Sequence, residues 1–199
     1  MKKIIVTGCN GQLGRAINKE LENNEEYELI NTDVAELDIT SIEKVLEMAR
    51  EVQPYAIINC AAHTGVDACE SQQDLAYRIN AIGPRNLSIA VAETGAKLIH
   101  VSTDYVFPGD VAEKPLTEFD PVGPKGMYGK TKLAGEQFVK EFAQNYFILR
   151  TAWLYGDGKN FIKTMLRLSE DHETLKLVND QFGTPTSASE LAKAICYLL

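Results

Sequence analysis

Long apolar runs, paired cysteines and an excess of positive charge are all missing from these 199 residues. The opening stretch "MKKIIVTG" turns polar by residue 10. That is too short for a membrane span or a secretory leader, so the expected location is the cytoplasm. Lys and Arg number 20 against 28 Asp and Glu, a formal net charge of -8. Such a surface gains nothing from polyanions, which argues against nucleic acid and anionic membrane as partners. The four cysteines, Cys9, Cys60, Cys69 and Cys196, form no C-x-x-C pair, and none stands at zinc-finger spacing from a histidine. They read as small buried or half-buried side chains, with no metal site expected. No internal repeat or low-complexity segment interrupts the chain. What remains, 45% hydrophobic and 24% charged residues, is the composition of a globular protein with room for one full core and a fraction more.

"KKIIVTG", "YELINTD", "AIINCAA", "KLIHVST" and "YFILRTAWLY" are short apolar runs rich in β-branched residues. They are apolar throughout rather than at alternate positions, as strands covered on both faces are. Between them, "QLGRAINKELE" sets Leu13, Ala16, Ile17 and Leu21 on one helical stripe. "DITSIEKVLEMARE" does the same with Ile42, Val45, Leu46 and Ala49, and spaces Thr40 and Glu43 as a capping box. Helical stretches fill residues 70–94, and "MYGKTKLAGEQFVKEFA" is a long helix. The alternation predicts an α/β fold, a Rossmann-type doubly wound parallel sheet with helices on both faces. After Tyr155 the rhythm changes: "GDGKNFIKTMLRLSE" reads as loop and helix, "LKLVND" as a strand and "SASELAKAICYLL" as a closing helix. The one long irregular connection, "FPGDVAEKPLTEFDPVGPKG", has the length of a functional or mobile loop.

"VTGCNGQLGR" spaces Gly8, Gly11 and Gly14 as G-x-x-G-x-x-G between the first strand and the first helix. Such a turn needs backbone freedom, lets a diphosphate approach the main chain, and packs helix close to strand. The diphosphate then meets free N–H groups at the helix N-terminus. Asp33 ends the second strand, where a carboxylate accepts hydrogen bonds from the adenosine ribose and repels a 2′-phosphate. NADH should therefore be well accepted, although Arg15 would blunt the preference. Asp38 reads equally as a partner of the adenine amino group and as a helix-cap residue. These features assign residues 1–154 to an NAD(P)-binding domain.

Tyr128 and Lys132 in "GMYGKTKLAGE" lie four residues apart, on one helix face. The spacing alone is common. With the glycine turn, "NCAA" and "VSTD" preceding it in order, the sequence resembles the extended short-chain dehydrogenase/reductases. "CAAHTGVDACE", "HVSTDYVFPG", "YGKTKLAGE", "RTAWLYGDGKNFIKTML" and "VNDQFGTPTSASELA" closely resemble the dTDP-4-dehydrorhamnose reductase family, over essentially the whole chain. The resemblance implies reduction of the C4 ketone of dTDP-4-dehydro-β-L-rhamnose, with NADPH or NADH as cofactor and a dTDP-sugar as substrate. It implies Tyr128 as the acid, Lys132 as its partner and Thr103 as the hydroxyl beside the carbonyl. Asp104 and Trp153 fall where the family contacts the sugar. Gly11, Gln12, Leu13, Asp33, Asp38, Ile39, Ala61, Ala62 and Thr64 fall along the cofactor, with Gly8 and Gly14 completing its turn and Tyr128 and Lys132 beside its nicotinamide end. Cys60 stands where many relatives carry alanine.

The resemblance makes residues 155–199 a partial substrate-binding lobe and closing helix, since members of this family continue past the point matching Leu199, through the rest of the substrate lobe and a basic segment near the diphosphate. The chain thus reads either as a fragment or as a shortened homologue. Two other readings stay open. One is a non-catalytic binding homologue, like the regulatory subunit of methionine adenosyltransferase, which resembles the same family. The other is a sugar-nucleotide epimerase or dehydratase. The sequence leaves a homodimer open.

The residues suit the chemistry. Ketone reduction leaves an alkoxide that needs a proton. A free tyrosine, with a pKa of ~10, is a poor match to neutral pH, and a nearby ammonium lowers that value. Reaching ~7 takes roughly 4 kcal/mol, the order that one lysine and the positive ring of an oxidised nicotinamide supply together in a partly desolvated site. Thr103 would donate to the carbonyl oxygen as charge develops, and Trp153 would offer the sugar a flat wall. His100, inside an apolar strand, reads as structural and His172 as surface. His63 borders the cofactor turn without an assigned role.

Overall fold

Five parallel strands, β1 (Lys2–Thr7), β2 (Tyr27–Thr32), β3 (Ala56–Asn59), β4 (Lys97–Thr103) and β5 (Tyr146–Thr151), form one sheet in the order β2-β1-β3-β4-β5. The coordinates are a computed structural model describing residues 1–110 and 114–199. Of the predicted connection 107–126, residues 111–113 lie outside the described residues. The central strands are apolar on both faces because both faces are covered. On one side Ile5, Ile57 and Leu98 pack with Val45 and Ala49 of α2 (Ile42–Val52), Leu87, Ala90 and Val91 of α5 (Gly83–Thr94), and Val139 of α6 (Met127–Phe142). On the other, Ile4, Val6, Ile58 and Ile99 meet Leu13, Ile17 and Leu21 of α1 (Gln12–Leu21) and Ala192 and Ile195 of α8 (Ala188–Tyr197). Each fully buried Ile or Leu in these layers contributes roughly 1.5–3 kcal/mol.

Two short helices, α3 (Val66–Ser71) and α4 (Gln73–Tyr77), lead through a π-helical turn at Arg78–Ile82 into α5. Beyond β5 come a two-residue strand β6 (Leu154–Tyr155), α7 (Phe161–Asp171) and β7 (Thr186–Ser187), which pairs with β6.

Three local expectations give way. The capping box at Thr40 and Glu43 does not form. Thr40 donates both its N–H and its hydroxyl to Asp38 Oδ1 (2.9 and 2.8 Å), so the chain turns once more and Ser41 caps α2 through the Lys44 N–H. The run "YFILRTAWLY" is two strands rather than one, because Trp153 adopts φ +46° and breaks the ladder after Thr151. "LKLVND" is not a strand. An extended segment becomes one only beside a partner edge, and here Leu177 and Val178 stay exposed instead. The closing helix α8, expected from the sequence, packs on α1 against the sheet.

Candidate active site

A sheet of this order reverses its winding between β1 and β3, and a crevice opens there beyond the strand ends. A cavity of ≈ 790 Å³ lies at that end of the sheet. Its near wall is the glycine turn. Gly8 has φ +64°, and a Cβ on it would sit 2.8 Å from the Ala61 nitrogen at the end of the neighbouring strand. A Cβ on Gly14 would lie 2.5 Å from the Gly8 carbonyl oxygen and 2.6 Å from Cys9 Cα. Both contacts are with backbone, so the turn closes only without side chains. Gly11, Gln12 and Leu13 complete this wall. Asp33 stands at the next strand end and accepts from the amides of Val34 (2.9 Å) and Asn10 (3.3 Å). Asp38, Ile39, Ala61, Ala62 and Thr64 line the same cavity, as do Thr103, Asp104, Tyr128, Lys132 and Trp153. The residues predicted for the site therefore converge on one space.

Several side chains at the cavity are held by local hydrogen bonds. Asp38 acts locally on Thr40. Arg15 is committed to two backbone carbonyls, that of Asn10 (2.9 Å) and that of Asp157. Asn160, the N-cap of α7, donates to Gln12 Oε1 at 3.4 Å. The first turn of α1 is thus tied to the loop before α7. Trp153 is 44% exposed at the cavity, with Gly183 against its indole.

Tyr128 and Lys132 occupy the first two turns of α6. Gly126 offers that helix no side-chain cap. Glu70 of α3 supplies one instead, accepting from the Met127 N–H at 2.7 Å. Gly129 lets the turn at Asp104–Val106 approach, since a Cβ there would meet the Tyr105 carbonyl at 2.2 Å. The Tyr105 ring packs edge-on against Tyr128 at 5.4 Å. Lys132 is 2% exposed, and its Nζ donates to the Val101 carbonyl at 2.7 Å. Burial lowers its pKa to about 8, against the raising influence of Glu136 and Cys60.

The phenol departs from the sequence expectation of a lowered pKa. Burial pushes Tyr128 up to about 12, the Asp104 charge adds to the rise, and hydrogen bonding to Thr103 only partly offsets them. Lys132, bonded to Val101, does not pull it down. With the protein's own groups alone, Tyr128 is a neutral, proton-bearing phenol throughout the neutral range. Thr103 Oγ1 accepts from the Tyr105 amide (3.2 Å) and donates to Asp104 Oδ1 (3.1 Å). Burial raises the Asp104 carboxyl.

Sequence reasoning missed the polar residues that brace this arrangement. Asn80, in the π-helical turn, grips both backbone groups of His63 (2.8 and 3.0 Å) and reaches Thr131 Oγ1 (3.2 Å), which donates to the Tyr128 carbonyl. Asn86 holds the Ile39 carbonyl at 2.9 Å. Asn59 accepts from Thr7 (2.7 Å) and meets His100 Nδ1 (3.0 Å). His100 Nε2 has no partner among the described residues, and burial first, then Lys132, keeps the ring neutral. Glu136, wholly buried, takes both Arg150 and Ser102. The available signal was polar side chains set into otherwise apolar helix and strand faces.

The whole chain, residues 1–199, matches the model of the RmlD substrate binding domain family. It is 42% identical over 200 residues to the dTDP-4-dehydrorhamnose reductase of Escherichia coli K12, covering 98% of this chain and 66% of that protein. The crystal structure of such a reductase from Clostridium acetobutylicum superposes with a TM-score of 0.95 at 55% identity, over 98% of this chain and 69% of that one. A Bacillus anthracis reductase in complex with NADP gives 0.94 at 50% identity, over 100% and 71%. This chain thus spans about two thirds of the length of these relatives. On the strength of a match along its full length, the chain belongs to the RmlD substrate binding domain family.

Proposed function

We propose that this chain binds NADPH or NADH at the switch-point cavity and takes part in reducing the C4 ketone of dTDP-4-dehydro-β-L-rhamnose to dTDP-L-rhamnose. The observation that carries the reading is the convergence of a half-buried neutral phenol, a buried lysine and a buried threonine hydroxyl on the cavity that the glycine turn opens. The donor set suits a dinucleotide. The Gly8–Gly14 turn is closed to side chains, the start of α1 presents free amides, Asp33 faces a ribose, and Ala61 and Ala62 leave room beside it. The bound cofactor supplies the hydride. Tyr128 gives its proton to the C4 oxygen, and Thr103 turns its hydroxyl from Asp104 to that oxygen. Lys132 places a positive charge where the phenolate forms, and Asp104 and Trp153 hold the sugar. Residues 1–154 form the cofactor domain in this reading. The lobe begins after them, and α8 returns to the sheet.

The direct test is oxidation of NADPH that depends on the dTDP-4-keto sugar. Tight NAD retained through purification, without net consumption, would favour an epimerase or dehydratase. A stoichiometric enzyme partner without turnover would favour a regulatory binding role.

Two further outcomes probe the cofactor wall. Gly14→Ala should weaken NADPH binding by roughly tenfold or more, the equivalent of about 1.4 kcal/mol, because its Cβ strikes backbone on the turn. Nicotinamide fluorescence titration reads this, and unchanged affinity would remove the turn from the site. Asp33→Ser should shift the NADPH-to-NADH affinity ratio toward NADPH by about tenfold, since it removes a carboxylate beside the 2′-position. Arg15 donates to the Asn10 and Asp157 carbonyls rather than to the Asp33 carboxylate. A ratio that does not move would place the adenosine ribose elsewhere.

A further inference from the structure

Glu136 follows Lys132 by one helical turn, with 0% of its side chain exposed. Its Oε1 accepts from Ser102 Oγ at 2.6 Å and from Arg150 Nε at 2.9 Å, and its Oε2 takes Arg150 at 2.7 Å. Ser102 lies between Val101, whose carbonyl holds Lys132, and Thr103, whose hydroxyl stands beside Tyr128. One carboxylate therefore joins the strand end that carries Thr103 to the helix that carries Tyr128 and Lys132.

The groups around Lys132 can be counted by element. On α6 are Tyr128 and Glu136. At the end of β3 is Cys60, whose thiol burial pushes up to about 12. In β4 is His100, kept neutral by burial. From β5 comes Arg150, bonded to Glu136. The phenol, thiol and imidazole are all uncharged near neutrality, so Glu136 is the neighbouring negative charge that favours the ammonium, against a strong desolvation.

We propose that Glu136 is a positioning residue for the reaction: through Ser102 it fixes the end of β4 against α6, and through its charge it keeps the buried Lys132 in the ammonium form. The catalytic meaning rests on the proposed reductase reading, whereas the effect on Lys132 does not.

The test is a pH titration of the Lys132 Cε resonance by NMR on the cofactor-free chain, assigned by its loss in Lys132→Met. The wild-type midpoint is expected at about 8, where burial places the ammonium. In Glu136→Gln/Arg150→Met, which removes the ion pair without stranding either charge, the midpoint should fall by about 1 pH unit. Ser102→Ala keeps both charges, so its midpoint should stay at the wild-type position. Its kcat should nonetheless drop severalfold at unchanged KM for NADPH, as the β4 tether loosens. Glu136→Asp keeps the carboxylate and its guanidinium partner, so its midpoint should stay near the wild-type position. An unmoved midpoint in the double variant overturns the charge role, and an unmoved kcat in Ser102→Ala overturns the tether. If the double variant does not fold, a Glu136→Asp midpoint far below wild type overturns the charge role by itself. The midpoints need neither cofactor nor substrate, so their failure is separate from failure of the reductase reading.

Discussion

On the proposed reductase reading, Tyr128→Phe should lower turnover of the dTDP-4-keto sugar by about 10²–10⁴-fold while leaving NADPH affinity near wild type. The substitution deletes one hydroxyl and keeps the ring, so the edge-on packing against Tyr105 at 5.4 Å and the fold around it persist. What disappears is the proton. Burial holds the wild-type phenol near 12, which keeps it protonated at working pH. A donor in ketone reduction needs that form. Loss of the proton becomes favourable only as positive charge gathers beside it, which in the proposed reaction requires Lys132 to leave the Val101 carbonyl. The same geometry predicts that Tyr128→Phe binds cofactor normally by fluorescence titration yet shows no sugar-dependent NADPH oxidation. Unchanged turnover would remove Tyr128 from the proton step. Loss of both binding and turnover would show that the variant disturbs the cavity itself.

Features with local causes were legible in the sequence. The central strands declared themselves because both faces of β1, β3 and β4 are buried. Gly8 and Gly14 declared the turn because any Cβ there would strike backbone. Tyr128 and Lys132 declared their shared face through helical spacing. Features decided by distant partners were not legible. Trp153 breaks a run that looks continuous, and the cause lies in β6 pairing with β7, more than thirty residues on. "LKLVND" has strand composition, but among the described residues no edge runs beside it. Ser41 displaces Thr40 as the cap because Asp38 claims Thr40 first. The state of Tyr128 depended on where Lys132 points, and that is set by the Val101 carbonyl across the β4–α6 interface. Asn80 joins the segment at His63 to Thr131, linking positions scattered through the chain. Spacing cannot display such a link.

Removing the guanidinium from the buried pair gives the second large effect. Arg150→Ala should destabilise the fold by about 3–5 kcal/mol near neutral pH, since it strands a carboxylate that no water reaches. In the wild type, burial would raise the Glu136 carboxyl, but the hydrogen bonds from Arg150 and Ser102 and the guanidinium charge outweigh burial and hold it below the usual carboxylate range. A folded pKa below the unfolded one means that this stabilisation is complete above the ordinary carboxylate pKa of ~4.3. It is lost as pH falls through the depressed folded value. In Arg150→Ala the balance reverses. With burial opposed mainly by Ser102, the folded carboxyl rises above its unfolded value, and the variant is relatively best off at low pH, where Glu136 is protonated. The stability gap between wild type and variant, read by urea unfolding, should therefore be widest near pH ~8 and narrow as pH falls toward ~4. A gap of equal size at both ends would mean that Arg150 acts through its packing over Phe107, 4.8 Å from the ring centre, rather than through its charge.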